Sequence, residues 1–401
     1  MPNIAPFRWI HPSSSFIQKV PVYIENMSLE EAKVQRSNND YSFLHLLTPE
    51  PDEEDGKDPK EAVFGKIAKN LAAFLASEVM VEEAEPALYI IEISRGGKSF
   101  KGIWALTASS ELETKILKHE RVQPERKEHI ESYLLNSGID GNPVLLTYPQ
   151  SQILMEMMNE FSGVDPHLRF QAEDADHRLW RVSAATEVAA VVAAIAALPA
   201  VYIADGHHRA AAFQSLFKQD RGVDGRFRYF SSVYIPSSSV HLKSYHRLIK
   251  DLNGLSLQEV LQAIKRSFHI NQITQSSDTR ISGSFDFYCQ GMFFNLIPKD
   301  HILNHKNPAA DITVRLLHDS ILAPLLKITN PTEDSRIRYV EQDAIAAVIG
   351  AVDRNEYEAA FLLNPPSIEQ VMALADADEV MPPKSTYIEP KFPAGALVHL
   401  C

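Results

Sequence analysis

The sequence predicts an α+β protein, and three observations lead there. A chain of 401 residues, 45% hydrophobic and 23% charged, has the ordinary balance of a soluble globular protein with a sizeable core. Strand-like and helix-like segments are interleaved without the strict alternation that builds a doubly wound sheet. The chain also shows no internal repeat and no low-complexity tract. The expected division is an N-terminal α/β region over residues 1–228 and a C-terminal α/β region over 229–401.

In chain order, Val20-Pro-Val-Tyr-Ile24 is a short strand candidate, and Pro49 to Pro59 is an acidic, Pro-bounded loop. Val63, Ile67, Leu71, Phe74 and Leu75 fall on one helical face between Glu61 and Ser77. Ala87–Ser94 and Lys101–Ala108 read as a hairpin across Arg95-Gly-Gly-Lys98. Pro124 opens a charged helix, Pro143–Pro149 is a strand, and Ser151–Phe161 is a helix. Then come a strand at Arg178–Val182, a helix at Thr186–Leu198, a buried strand at Ala200–Ala204, and a helix from Arg209 to about Lys218.

In the second region Tyr229–Pro236 and Leu242–Ile249 are strand-like, and Leu257–Phe268 is an amphipathic helix. Phe285–Cys289 pairs with Gly291–Ile297. Helices are expected at Asp311–Leu326, Glu341–Val352 and Ser367–Ala375, a strand at Glu358–Asn364, and a last extended segment from Lys384 to Lys391.

The net charge of -13 argues against broad binding to nucleic acid, which needs a basic footprint. Two cysteines, Cys289 and Cys401, form no CxxC pair, and the N-terminus lacks a basic and apolar leader, so a cytoplasmic setting is expected. The apolar run Ala184–Ile203 is broken by Thr186, Glu187 and Pro199, which favours a buried helix and strand over a membrane span.

The chemistry concentrates at Val201-Tyr-Ile-Ala-Asp-Gly-His-His-Arg209. An apolar strand runs into a helix that begins with small residues, and five residues unfit for a core sit between them. Gly206 permits positive φ and close approach of a ligand. The first N–H groups of the helix lack internal partners and carry partial positive charge. His207, His208 and Arg209 add side-chain donors, and together these form an anion site. The plainer alternative is that Asp205 caps the helix and the histidines are surface residues. Asp205 and the histidines are also metal-ligand types. Side chains at 207 and 208 diverge by about 100° in a helix, which disfavours one ion on both. Magnesium bridged through Asp205 or a phosphate is easier to accept.

Ile203-Ala-Asp-Gly-His-His-Arg-Ala-Ala-Ala212 resembles the second conserved box of the ParB/sulfiredoxin-like superfamily. More closely, the chain resembles domain-of-unknown-function family 1015 over nearly its full length. The likeness runs through Pro6-Phe-Arg8, Asn39-Asp-Tyr-Ser-Phe-Leu-His45, Ile116-Leu-Lys-His-Glu120, Gly141-Asn-Pro-Val-Leu-Leu-Thr-Tyr-Pro149 and His177-Arg-Leu-Trp-Arg181. It continues in Tyr245-His-Arg-Leu-Ile249, Leu363-Asn-Pro-Pro366 and Met381-Pro-Pro-Lys-Ser-Thr-Tyr387. The resemblance implies a ParB/sulfiredoxin-like core with a C-terminal α/β elaboration. It also implies a turn that faces nucleotide phosphates. Free-serine kinases share the Asp-Gly-His-Xaa-Arg form most closely. The box has no cysteine, so sulfinic-acid repair is not expected.

Two further constellations carry polar chemistry. Lys118-His119-Glu120 leads a charged stretch, and by analogy with the serine kinases Glu120 is the candidate base for an acceptor hydroxyl. The alternative is a solvated helix laced with ion pairs such as Arg121 with Glu125. Lys384-Ser385-Thr386 follows a proline-stiffened approach and suits a phosphate, although it is not a P-loop. His246-Arg247 and His177-Arg178 read as local caps or pairs.

The expected function is a small-molecule phosphotransferase using ATP or ADP with magnesium on a small hydroxyl acceptor such as an amino acid. Glu120, Asp205 and His207 are the catalytic candidates. Gly206, His207, His208, Arg209, Lys118, His119, Lys384 and Ser385 are the nucleotide-binding candidates, and Asp205 is the metal candidate. The expected partners are a nucleotide and a small-molecule substrate, not nucleic acid and not a membrane, and the reading admits a homodimer. The rivals are a ParB-like nucleotide switch and a phosphate-ester hydrolase.

Overall fold

The computed structural model describes residues 2–25, 27–48, 59–220, 225–276, 283–304, 307, 311–382 and 384–401. Among them, strands and eleven α-helices mix as an α+β protein with one large mixed sheet. No described helix is long and apolar enough to cross a membrane. The acidic loop expected over Pro49–Pro59 lies, apart from Pro59, outside the described residues.

The chain forms two compact units. The first comprises residues 1–118, 122–240 and 390–401, and the second 119–121 and 241–389. Tyr229–Pro236, expected at the head of the C-terminal region, is instead hydrogen-bonded into the sheet of the first unit. Residues 390–401 also return to that unit, a long-range pairing that reading along the chain cannot anticipate.

In the first unit a nine-stranded sheet runs in the order Ile116–Leu117, Val201–Asp205, Val144–Tyr148, Tyr229–Pro236, Lys98–Ala108, Leu88–Arg95, Ala175–Val182, Leu168–Ala172. Ile4–Ala5 adds to Lys98–Ala108. Val201–Asp205 pairs parallel with Ile116–Leu117 and antiparallel with Val144–Tyr148, and the register shifts between Ile203 and Asp205. That irregularity falls where the strand gives way to the polar turn. The expected hairpin closes through Gly96 and Gly97, whose φ of +55° and +77° only glycine adopts cheaply.

The helix Pro124–Ser137 begins with proline in its first turn and ends on Gly138 in the left-handed conformation. It packs against His207–Asp220, whose Ala210, Ala212, Phe213 and Leu216 are buried in the main core. Val20–Ile24, expected as a strand, contributes one bridge among the described residues, Val22 with Ala394. The helix Leu29–Asn38 was not anticipated. Ser28 and Glu31 form a capping box at its start, but its apolar face is weak.

The second unit holds a six-stranded antiparallel sheet. Its order is Phe268–Ile273, Met292–Pro298, Phe285–Cys289, Ala359–Leu363, Tyr245–Ile249, Ile337–Glu341. Alternation along the central strands divides Phe285, Phe287 and Phe361 from Tyr288, Ala360 and Leu362, which join different hydrophobic clusters. The expected helix at 257–268 stops at Ile264, and Phe268 opens a strand. The expected helix at 311–326 is α-helical only over Thr313–Leu317, and His318–Leu322 continues it with wider π-type turns. Glu341, expected to begin a helix, ends the strand Ile337–Glu341, and the helix follows at Ile345–Asp353.

Candidate functional site

The turn after Val201–Asp205 takes the shape its residues dictate. Gly206 has φ +92°, and the helix begins at His207. A Cβ added at Gly206 would lie 2.8 Å from Arg209 Nη2 and 3.2 Å from Cζ, so the guanidinium folds back over the turn. The backbone angle calls for glycine here, and a Cβ would also displace the guanidinium.

Asp205 is held between two cations. Its Oδ1 accepts from Lys391 Nζ at 2.8 Å and its Oδ2 from Arg209 Nη2 at 3.1 Å. Lys391 also reaches Glu25 Oε1 at 3.0 Å, and its side chain is only 9% exposed. Burial pushes the Asp205 carboxyl up, but the charges of Lys391, Arg209 and His207 outweigh it and hold the group ionised well below the usual carboxylate range. Burial likewise lowers Lys391, and Asp205 and Glu25 reverse that to keep the ammonium charged far above its ordinary value.

Arg209 Nη2 donates a second bond to the Pro143 carbonyl at 3.1 Å. Its buried Nε–H has no hydrogen-bond partner among the described residues. Asp205 and Pro143 together use both hydrogens of Nη2 and fix the guanidinium over the turn, where its positive charge suits an anion. Nearby, Asp140 is buried and accepts from the Ser231 N–H at 2.6 Å. Burial raises its carboxyl to about 7, with that hydrogen bond and Arg209 pulling the other way.

His207 is buried, whereas His208 is half-buried and accepts the Gln123 N–H on Nε2 at 3.1 Å. Burial first, then the charges of Arg126 and Arg209, lower the His208 pKa, so it serves as a neutral acceptor. The two rings occupy different environments, as the helical angle between them requires. Asp205, the expected magnesium ligand, directs both oxygens at cations. A magnesium ion held by this carboxylate would have to compete with Lys391 and Arg209, and the donor set does not fit one held by Asp205 alone.

The other candidates divide between the two units. Lys118 is exposed and follows Ile116–Leu117 in the first unit. His119 and Glu120 belong to the second unit, where the His119 carbonyl accepts from the Met381 N–H at 2.8 Å and Glu120 bridges Met381. Lys384 has φ +56° and places its ammonium 5.4 Å from the centre of the Tyr245 ring. Ser385 is buried and donates its hydroxyl to the Pro382 carbonyl at 2.5 Å, a local use rather than an open phosphate ligand. Arg247 is fully buried. It donates to the carbonyls of Tyr245 and Lys384, the latter at 2.8 Å, and lies over Tyr339 at 4.7 Å. Burial lowers its pKa to about 10.

Lys391, Glu25, Pro143 and Asp140 escaped sequence reasoning. Lys391 lies 186 positions from Asp205, and nothing local distinguishes it from other lysines near the C-terminus. Asp140 precedes the Gly141-Asn-Pro-Val box that the resemblance singled out, and that adjacency was the one available signal.

Residues 4–320 match the family described as a protein of unknown function, DUF1015, and the chain belongs to that family. No curated protein matches it. Among solved structures, a mutant free serine kinase in complex with AMP is similar at 16% identity and a TM-score of 0.38, covering 74% of this chain and 92% of that one. A conserved hypothetical protein from Pyrococcus furiosus is similar at 17% identity and a TM-score of 0.33, over 73% of this chain and 93% of that chain. A C-terminally truncated SbnI from Staphylococcus aureus is similar at 12% and 0.39, over 72% of this chain and 87% of that one.

Proposed function

We propose that the protein is a small-molecule phosphotransferase that uses ATP or ADP, and that the turn Asp205–Arg209 binds the nucleotide's phosphates within a ParB/sulfiredoxin-like core. The observation that carries the reading is the arrangement around Gly206. A helix start, a guanidinium with an unused buried N–H and a buried ammonium are gathered at one glycine turn. The Asp-Gly-His-His-Arg form, which resembles that of the free-serine kinases, supports the same reading.

In this mechanism the N–H groups at the start of the helix and Arg209 receive the phosphate oxygens. Asp205 is a positioning residue that fixes Arg209 and Lys391 in place. His207 and His208 complete the rim. Magnesium, where it accompanies the nucleotide, would neutralise part of the phosphate charge. Glu120 is the proposed base. It takes the proton of the acceptor hydroxyl as that oxygen bonds to the terminal phosphorus and the bond to the departing AMP or ADP breaks. Lys118, His119 and Lys384 remain proposed nucleotide contacts, whereas the Ser385 hydroxyl proton is committed to the Pro382 carbonyl.

The test is Glu120→Gln. Transfer to a panel of amino-acid and sugar hydroxyls should fall by at least about 100-fold while nucleotide affinity stays unchanged. Normal turnover by the variant would refute the base. Nucleotide bound but never consumed by the native protein, across that panel, would favour the ParB-like switch.

A further inference from the structure

His11, Glu83 and His167, from three separate segments of the first unit, converge and share no residue with the Asp205 turn. His11 lies on the strand Ile10–Pro12, paired with Met80–Glu82, and Glu83 follows that partner strand. His167 immediately precedes the edge strand Leu168–Ala172 of the large sheet. His11 Nε2 lies 3.2 Å from Glu83 Oε1, and His167 Nε2 lies 3.0 Å from the same oxygen. Ligand atoms of all three lie within 4.8 Å of one another.

The donor and acceptor inventory shows what the cluster lacks. His11 Nδ1 lies 2.9 Å from the Pro12 carbonyl, which can only accept, so the proton of a neutral ring sits on Nδ1. Nε2 then turns a lone pair toward a carboxylate oxygen, and that oxygen already receives the Tyr89 hydroxyl at 2.8 Å. The contact at 3.2 Å therefore holds a positive charge between the two atoms, either a second ring proton or a metal ion.

The two distances to Glu83 Oε1 come close to those around a metal ion. Four donors at about 2.0–2.1 Å around a tetrahedral ion lie about 3.3–3.4 Å apart. The surroundings also match an outer shell that orients metal ligands. The Pro12 carbonyl fixes the His11 tautomer, while Tyr89 and Arg181, directly paired across the sheet, hold the two oxygens of Glu83.

We propose that His11, Glu83 and His167 form a site for one divalent transition-metal ion, with zinc the best match to two imidazoles and a carboxylate. Three protein ligands leave the fourth position open, as in zinc sites that keep a water or substrate. The opening lies on the side of His167, whose side chain is 40% exposed against 8% for His11 and 13% for Glu83. It faces a cleft of about 540 Å³ lined by Glu85, Phe161, Asp165 and Trp180. Glu83 neutralises one charge of the ion and Arg181 balances the carboxylate from its far oxygen, so the site suits a borderline ion on nitrogen ligands better than magnesium.

The test titrates chelator-stripped full-length protein with zinc alone, read by calorimetry, and with cobalt alone, read by its visible absorption. One ion per chain and a tetrahedral cobalt spectrum are expected. His167→Gln, at the most exposed of the three positions, should weaken zinc affinity by about 100-fold with an unchanged circular dichroism spectrum, and Tyr89→Phe by about tenfold. Absence of stoichiometric uptake by the native protein overturns the proposal. So does equal uptake by a folded His167→Gln variant, or a nitrogen NMR spectrum showing His11 protonated at both ring nitrogens with zinc present.

Discussion

At the scale of single residues, Asp205 and Asp140 show how one local field produces opposite results. Asp205 faces Lys391 and Arg209 directly and stays ionised, whereas Asp140 has one backbone N–H and a dry surrounding that lifts its carboxyl to about 7. The sign follows from proton counts. Between pH 4 and 7 the folded state keeps a proton on Asp140 that the unfolded chain releases, so this residue subtracts stability as pH rises through that window. Asp140→Asn keeps an acceptor for the Ser231 N–H and removes the titration. Urea unfolding should therefore show the variant gaining on the native protein from pH 5 to pH 8, by on the order of 3 kcal/mol. Parallel pH profiles for the two proteins would contradict the assignment.

At the scale of elements, the turn depends on Gly206 in two respects, its positive φ and the guanidinium that covers it. Gly206→Ala should lower stability by about 1–3 kcal/mol in urea and weaken ADP binding by displacing Arg209. Unchanged affinity in a destabilised variant would separate the turn from the ligand. This strand-turn-helix was legible in the sequence because an apolar run, a glycine and small helical residues announce themselves within a dozen positions. The hairpin across Gly96 and Gly97 was legible for the same reason. Phe268–Ile273 and Ile337–Glu341 were not, because short strands beside helices take their identity from partners far away in the chain. Lys391 was illegible on the same ground, since its role is set by Asp205 and Glu25 rather than by its neighbours. His11, Glu83 and His167 stand 72 to 156 positions apart, and no spacing motif connects them.

For the whole molecule, burial makes several described histidines resist protonation, and beside His208 these include His177 and His399 in the first unit and His246 in the second. The last three are lowered to about 4, chiefly by desolvation. His177 stacks on Phe170 at 4.5 Å and bonds to the Tyr23 hydroxyl, and His246 accepts the Leu363 N–H on Nδ1. Below pH 6.5 the unfolded chain takes up protons that these sites refuse, so stability falls as pH drops toward 4. Asp140 opposes one of those three protons over the same window. The urea midpoint should therefore fall clearly between pH 7 and pH 5, and a flat profile would show the rings accepting protons in place.

The proposed binding role of the Asp205–Arg209 turn bears most of the functional reading, and calorimetry with ADP tests it most directly. Native protein should bind ADP, and Arg209→Ala should weaken binding by about tenfold or more, the loss expected for a charge-assisted hydrogen bond to phosphate. Adding His208→Ala should weaken it further. Native affinity retained by the folded double variant would contradict the phosphate site.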